Sequence, residues 1–284
     1  MTAPTIAHAP RRGEPTPESV GDRVRWFFLD SGVLAKRGMQ HSLAQPSMVV
    51  ANLAFPIMFV LLFGYVFGSG IEVPGGGSYR AFLMPGLFVM TMAFGIGETM
   101  MGVNTDVSRG IADRFRSMPL SPPAPVVGRS LADMVTSLVG LVIMIVCGRI
   151  VGWGWEDGLG NAVLAVGLLL LLRFSFLWIG IFLGLLVPNP EAAGAVYGLL
   201  FPVTMLTNAF VDTSLMPTWL ATICDWNPLS SSVLAVRELF GTPGTGGDGT
   251  WITEHAMLMA VVWPLLILVV FVPLAVRRYQ ALSR

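Results

Sequence analysis

Six long runs of apolar residues constrain this chain more than any other feature of its sequence. Each run has about 20 residues or more, the length that a helix rising about 1.5 Å per residue needs to cross roughly 30 Å of hydrocarbon. Hydrophobic residues make up 54% of the 284 residues and charged residues only 12%, a balance far from that of soluble domains. The pattern predicts an all-α integral membrane protein with six transmembrane helices. The predicted spans are residues 48–68, 81–103, 130–152, 161–187, 192–211 and 255–276.

The basic residues predict the orientation of these spans, because cytoplasmic loops retain Lys and Arg. Residues 11–37, 109–129 and 277–284 hold most of them, whereas the alternate loops carry more Asp and Glu. Both termini are therefore expected in the cytosol, with the chain in the plasma membrane and in contact with membrane lipid. The formal net charge is zero, so no basic surplus indicates nucleic acid as a partner.

The segments outside the spans form a tail, an interfacial helix and one long loop. Residues 1–19 are rich in Pro and polar residues and are predicted to be a disordered cytosolic tail. Residues 20–47 are predicted to form an amphipathic helix on the inner membrane surface, with a loose polar tail as the alternative. Residues 48–284 then form the transmembrane domain. The loop 212–253 contains two apolar pieces that are too short to cross the bilayer and are predicted to be re-entrant or interfacial helices. These pieces are Ser214–Trp226 and Leu229–Gly241.

The sequence lacks the residue patterns with which proteins bind nucleotide phosphates or metals. A phosphate-binding loop needs Gly-Lys-Ser or Gly-Lys-Thr after a glycine-rich turn, but the sole lysine, Lys36, follows Ala35. The three histidines and two cysteines have no metal-ligand spacing. We therefore expect no catalytic site, cofactor or metal in this chain, and predict that it is not an enzyme.

The loop between the second and third spans has the character of a docking helix. It is short, amphipathic and charged, and it ends in prolines. Ile111, Phe115 and Met118 fall on one helical face, with charged residues around them. Such a helix docks in a partner's groove through its apolar residues and is oriented by its charges. The alternative is a solvated intracellular loop.

Three motifs occur in one order along the chain. Gln45-Pro46 precedes a first span that ends Phe-Gly-Tyr-Val-Phe-Gly at residue 68. Ser-Arg-Gly at 108–110 leads to Met-Pro-Leu-Ser at 118–121. Met-Pro-Thr-Trp-Leu at 216–220 precedes Asn-Pro-Leu-Ser at 227–230. In this order of parts the chain, from about residue 20 onward, resembles the ABC-2 family of exporter permeases, especially the daunorubicin-resistance type.

The resemblance implies that residues 106–120 hold a coupling helix that contacts a separate ATPase subunit. It also implies two permease copies, identical or related, working with two ATPase subunits. ATP and magnesium would then be bound by the ATPase. The ATPase-coupling residues that it implies are Arg109, Gly110, Asp113, Arg114, Phe115 and Pro119.

Charged and aromatic residues inside the predicted spans are candidates for a transport pathway. Arg173 lies near the middle of the fourth span, where an unpaired arginine costs at least about 2.5 kcal/mol, so it is expected to face protein or water. Glu98 is the candidate partner by charge, although the predicted span ends separate the two in depth by roughly 13 Å. The alternative for Arg173 is a separate, water-facing role, and the alternatives for each aromatic ring are a lipid-facing role or packing. The pathway candidates are Phe55, Phe59, Phe94, Glu98, Arg173 and Asn208.

Four glycine pairs have the spacing that lets helices approach closely, either within one subunit or at a dimer seam. These pairs are Gly64 with Gly68, Gly148 with Gly152, Gly180 with Gly184, and Gly194 with Gly198.

Together these features predict the permease subunit of an ATP-driven exporter that moves an amphipathic or hydrophobic compound, such as a drug, antibiotic or lipid, out of the cell. Two alternatives stay open. A secondary transporter or channel would need ionisable groups or broken helices near the midplane for ion coupling. A non-transporting membrane assembly factor would need neither. Transport driven by a proton gradient without ATP would favour the first of these alternatives.

Overall fold

A computed structural model describes the backbone of residues 32, 54, 56–66, 73, 77–109, 124–242, 244 and 250–282. The described part of the chain is helical and contains no strand. Several predictions lie outside the described residues: the tail 1–19, the interfacial helix 20–47 apart from Gly32, the pathway candidate Phe55, and the coupling residues from Gly110 to Pro119.

Nine α-helices follow one another along the described residues, and a short 3-10 helix, Thr213–Leu215, lies between the fifth and the sixth. They are α1 (Pro56–Val66), which becomes π-helical at Leu62–Val66, α2 (Tyr79–Ser108), α3 (Ala124–Ile150), α4 (Gly158–Leu186), α5 (Pro190–Met205), α6 (Thr218–Asp225), α7 (Pro228–Phe240), α8 (Trp251–Glu254) and α9 (Ala256–Leu282).

Four of these helices, α2, α3, α4 and α9, are long and apolar enough to cross a membrane. They confirm the all-helical prediction and match four of the six predicted spans. The fifth predicted span, 192–211, corresponds to α5, which has 16 residues and is therefore about 24 Å long. Of the first predicted span, the helix α1 is the main part that the structure describes.

Two Asn-Pro pairs fix where α5 and α7 begin. The side chain of Asn189 accepts a hydrogen bond from the backbone N–H of Ala192, and Pro190 takes the first helical position. Asn227 and Pro228 repeat the arrangement at the start of α7, where the asparagine side chain accepts from the N–H of Leu229. Both pairs satisfy a free N–H and place proline where no N–H is needed.

The two short apolar pieces of the long loop form two short helices, as predicted. They are α6 and α7, and α7 is buried along nearly all of its length. It ends at Gly241, which adopts a left-handed conformation with φ of 66°, a conformation that glycine reaches without strain. A well-buried helix too short to span therefore closes one end of the bundle.

Helix α2 is the central element of the bundle. It packs most extensively against α4, and also contacts α3, α5 and α7. Gly180 and Gly184 allow the close approach of α4: a Cβ at these positions would lie 2.7 Å from the carbonyl oxygen of Ile96 and 2.6 Å from that of Met100. This glycine pair therefore serves packing within one subunit. Helix α2 also continues to Ser108, five residues beyond the predicted end at Val103.

Candidate functional site

A network of polar side chains begins at the ends of α2 and α3 that flank residues 110–123. Arg129, near the start of α3, forms an ion pair with Asp106, near the end of α2. The Arg129 Nε atom also lies 3.5 Å from Asp133 Oδ1, one turn further along α3. The two helices that lead into and out of the predicted coupling segment are thus joined by charge at its base.

The polar network continues through the Thr99 hydroxyl group to Arg173, the buried arginine of α4. Thr99 Oγ1 donates a hydrogen bond to Asp133 Oδ2 at 3.0 Å and accepts one from Arg173 Nη2 at 3.0 Å. Arg173 Nε donates to Ser137 Oγ at 2.7 Å. Only 2% of Arg173 is exposed, so this cation is held by protein groups from α2 and α3. Arg173 Nη1 has no hydrogen-bond partner among the described residues, and the carboxylates of Asp133 and Glu98 within electrostatic range offset part of the cost of burying this cation.

Small side chains on α2 make room for the two guanidinium groups. A Cβ at Gly95 would lie 2.5 Å from Arg173 Cζ, and one at Gly102 would overlap the Arg129 guanidinium. Residues three or four apart lie on one face of a helix. The network therefore consists of one stripe on each of two helices, facing Arg173 of α4. The stripe on α2 is Gly95, Thr99, Gly102 and Asp106, and that on α3 is Arg129, Asp133 and Ser137.

The predicted pair of Glu98 with Arg173 does not form. Among the residues that the structure describes, no carboxylate oxygen lies within 4.0 Å of the Arg173 guanidinium. The two residues differ less in depth than predicted, because α2 extends to Ser108, but Glu98 is not part of the stripe that faces Arg173. Arg173 faces protein, and its predicted water-facing role is not observed. Glu98 is exposed.

The other pathway candidates fall into two separate places. Phe59, half-buried on α1, lies 5.3 Å from the ring of Phe63 and 5.5 Å from that of Phe210. Phe94 stacks on Phe201 of α5, with centroids 6.2 Å apart and an angle of 8° between the rings. The candidates described here do not form one continuous aromatic line, so packing accounts for Phe59.

Asn208 belongs to a second buried polar cluster, centred on Arg237, an arginine in the second apolar piece of the loop 212–253. Arg237 of α7 has 0% exposure. Its Nε donates to the carbonyl of Phe82 at 3.1 Å, and its Nη2 donates to the carbonyls of Asn208 at 2.9 Å and Ala209 at 3.1 Å. The guanidinium also lies 3.6 Å from the centre of the Phe82 ring.

Arg237 therefore ties α7 to α2 and to the turn after α5. Burial lowers the pKa of Arg237 to about 9, while the Asp212 carboxylate acts in the opposite direction. This pKa lies above 7, so the side chain stays charged at neutral pH and keeps its donors. An arginine within the apolar run 228–240 was the signal that could have identified it as a buried group.

Of the implied coupling residues, Arg109 is the one that the structure describes. It is exposed and follows the last residue of α2. Its position, three residues beyond Asp106, places the start of the predicted coupling segment directly beside the polar network.

Comparisons with known proteins agree with this architecture. Residues 31–240 match the family model described as ABC-2 type transporter. The chain is 32% identical to the daunorubicin resistance ABC transporter permease protein DrrB1 of Streptomyces coeruleorubidus over 83% of this chain and 80% of that protein.

Two further relatives are more distant. A putative transport permease, ycf38, of Cyanophora paradoxa is 23% identical over 76% of this chain and 75% of its own. The doxorubicin resistance ABC transporter permease protein DrrB of Mycobacterium tuberculosis is 24% identical over 52% of this chain and 55% of its own. The family match and the first relative both extend over most of the four-helix core, and the chain therefore belongs to the ABC-2 type transporter family of membrane permeases.

Proposed function

We propose that this chain is the permease subunit of an ATP-driven exporter, which moves an amphipathic or hydrophobic compound such as a drug, antibiotic or lipid out of the cell. Family membership supports this proposal, as do relatives named for daunorubicin and doxorubicin resistance. The energy comes from separate ATPase subunits that bind ATP and magnesium, because the sequence has no phosphate-binding loop. A second permease copy completes the pathway.

The observation that carries the coupling proposal is the position of the polar network. Asp106 and Arg129 flank residues 110–123 and hold the adjoining ends of α2 and α3 together. From there, Asp133 and Thr99 connect to Arg173 on α4. A displacement of the coupling segment by the ATPase would move the ends of α2 and α3. Because Arg173 is bonded to both helices, α4 would move with them.

Transport then follows from a change between two conformations. ATP binding draws the two ATPase subunits together and shifts the permease from an inward-facing to an outward-facing state. The shift is driven by the higher affinity of nucleotide for one of these states. The substrate crosses with the change and leaves on the outer side.

The proposed topology has six spans with both termini in the cytosol. Asn104 of α2 donates to the carbonyl of Val187 at 2.6 Å, and Arg278 of α9 donates to that of Leu185 at 3.4 Å. The ends of α2, α4 and α9 therefore lie together. Arg109 and Arg129 lie near this end of the bundle with Arg278, and a clustering of arginines at one end supports its assignment to the cytosolic side.

Alanine at Phe115 or Arg114 is expected to uncouple the complex. Removing an apolar anchor or a charge that docks on a partner weakens an interface at a central contact. We expect ATP-driven transport to fall about tenfold or more, equivalent to 1.4 kcal/mol or more at the interface, while ATP hydrolysis by the complex continues. Both rates are measured on the reconstituted complex.

Arg277→Ala is the matched control, since Arg277 is an exposed arginine near the end of α9 and lies outside the coupling segment. It is expected to leave transport unchanged. Normal transport by both the Phe115→Ala and the Arg114→Ala variants would remove residues 106–120 from the coupling mechanism.

A further inference from the structure

Glu98 is an exposed carboxylate on a helix that is otherwise mostly buried. Within α2, all of which the structure describes, only Glu98, Met101 and Ser108 are exposed. Glu98 lies ten residues before Ser108, about 15 Å along the helix from this end. A charged side chain at such depth in a membrane protein is costly unless it faces protein, water or a ligand, and it therefore indicates a functional position.

The polar network does not use Glu98. In the described part of the chain, Glu98 makes no hydrogen bond or ion pair, although Arg173 and Asp133 lie within electrostatic range. The network contains two arginines and two aspartates, so its formal charges cancel. The negative charge of Glu98 therefore has no counterpart within the network, and a bound cation would compensate it.

Three aromatic rings of α2 and α5 lie near this carboxylate. Phe94 lies one turn before Glu98 on α2 and stacks on Phe201 of α5. Tyr197, one turn before Phe201 on α5, lies against α2 so closely that a Cβ at Gly97 would overlap its ring. Its phenol is within electrostatic range of the Glu98 carboxylate. Two helices thus present one carboxylate and three rings to the same region.

We propose that Glu98, Phe94, Tyr197 and Phe201 form a binding site for an aromatic organic cation. The carboxylate neutralises the ligand's charge, and the rings contact its flat apolar surface through stacking and cation–π interactions. Apolar walls with a few polar groups that fix orientation are typical of small-molecule sites. The inference rests on the proposed export function, and it names the substrate class for which Glu98 determines specificity.

The test compares two ions of nearly the same shape and opposite charge, tetraphenylphosphonium and tetraphenylborate. Their binding to the permease–ATPase complex is measured by equilibrium dialysis in a non-ionic detergent, without nucleotide. We expect the native complex to prefer the phosphonium. Glu98→Gln should weaken phosphonium binding by about tenfold or more, since one close charge interaction is lost, and should not weaken borate binding.

Two variants control this measurement. Glu98→Asp keeps the charge and is expected to retain the preference for the phosphonium. Glu254→Gln, at an exposed glutamate of α8, is expected to change neither affinity. Equal binding of both ions by the native complex would overturn the proposal, as would an equal loss of both ions in Glu98→Gln, which would indicate a structural role.

Two further measurements separate this inference from its alternatives. Phosphatidylcholine also carries an organic cation, so loss of phosphonium binding on its addition would assign the site to a lipid headgroup and overturn the solute assignment.

ATP-driven transport is measured on the same complexes with a neutral dye. If ATP moves no solute although Glu98 selects the phosphonium, the export function fails and the site stands. If the dye is exported without charge selection at Glu98, the site fails and the export function stands.

Discussion

Asp133→Ala is expected to destabilise the protein by about 1–3 kcal/mol, because it removes the acceptor of the Thr99 hydroxyl and one of the two carboxylates, Asp133 and Glu98, that lie within electrostatic range of the buried Arg173 guanidinium. Arg173→Met is expected to cost much less. It removes the buried charge itself, while Asp133 keeps its contacts with Arg129 and Thr99. The free energy of unfolding of each variant is measured by reversible denaturation of the purified protein in mixed detergent micelles.

The double variant Asp133→Ala with Arg173→Met is expected to be more stable than Asp133→Ala alone, since it contains no unpaired buried charge. Glu254→Ala, which removes an exposed carboxylate of α8, serves as the control and is expected to change stability little. Equal losses from the two single substitutions, with simple additivity in the double variant, would contradict the coupling of Asp133 to Arg173.

Alanine at both Gly180 and Gly184 is expected to separate α2 from α4. The new Cβ atoms would lie 2.7 Å and 2.6 Å from backbone carbonyl oxygens of α2, which cannot rotate away as a side chain would. Overpacking of this kind costs about 1–3 kcal/mol at each position. Because Thr99 and Arg173 meet across the same contact, transport should fall together with the free energy of unfolding.

The matched control is alanine at both Gly194 and Gly198 of α5, the same substitutions at the same spacing. Nothing lies within 4 Å of a Cβ at either position. Alanine favours a helix over glycine by up to about 1 kcal/mol, so the control should be as stable as the native protein or slightly more stable. Equal destabilisation by the two pairs would show that the close approach of α2 and α4 is not what Gly180 and Gly184 provide.

The helices were largely predictable from sequence because the apolar runs and the Asn-Pro pairs act locally. Each Asn-Pro pair supplies its own cap, and both α5 and α7 begin there. Helix ends set by packing were harder to predict. Helix α2 continues five residues beyond its apolar run because Asn104 bonds to the carbonyls of Gly184 and Val187, and Asp106 pairs with Arg129.

The partners of the buried cations were not predictable in the same way. Arg173 stood out as a charge inside an apolar run, but its bonding partners lie on two other helices, at Thr99 and Ser137. Which face of α2 turns toward Arg173 depends on tertiary packing. The four-residue spacing of Arg129, Asp133 and Ser137 places these residues on one face of a helix. Without the fold, nothing connected this stripe to Arg173.

ATP-driven transport by reconstituted membranes is the most direct measurement of whether this permease depends on a partner. Inverted vesicles that contain the chain together with its ATPase are expected to accumulate a fluorescent amphipathic dye when ATP is added. Vesicles that contain the chain alone are expected to accumulate none, with or without a proton gradient. Uphill accumulation by the chain alone would contradict the assignment of its energy source to an ATPase.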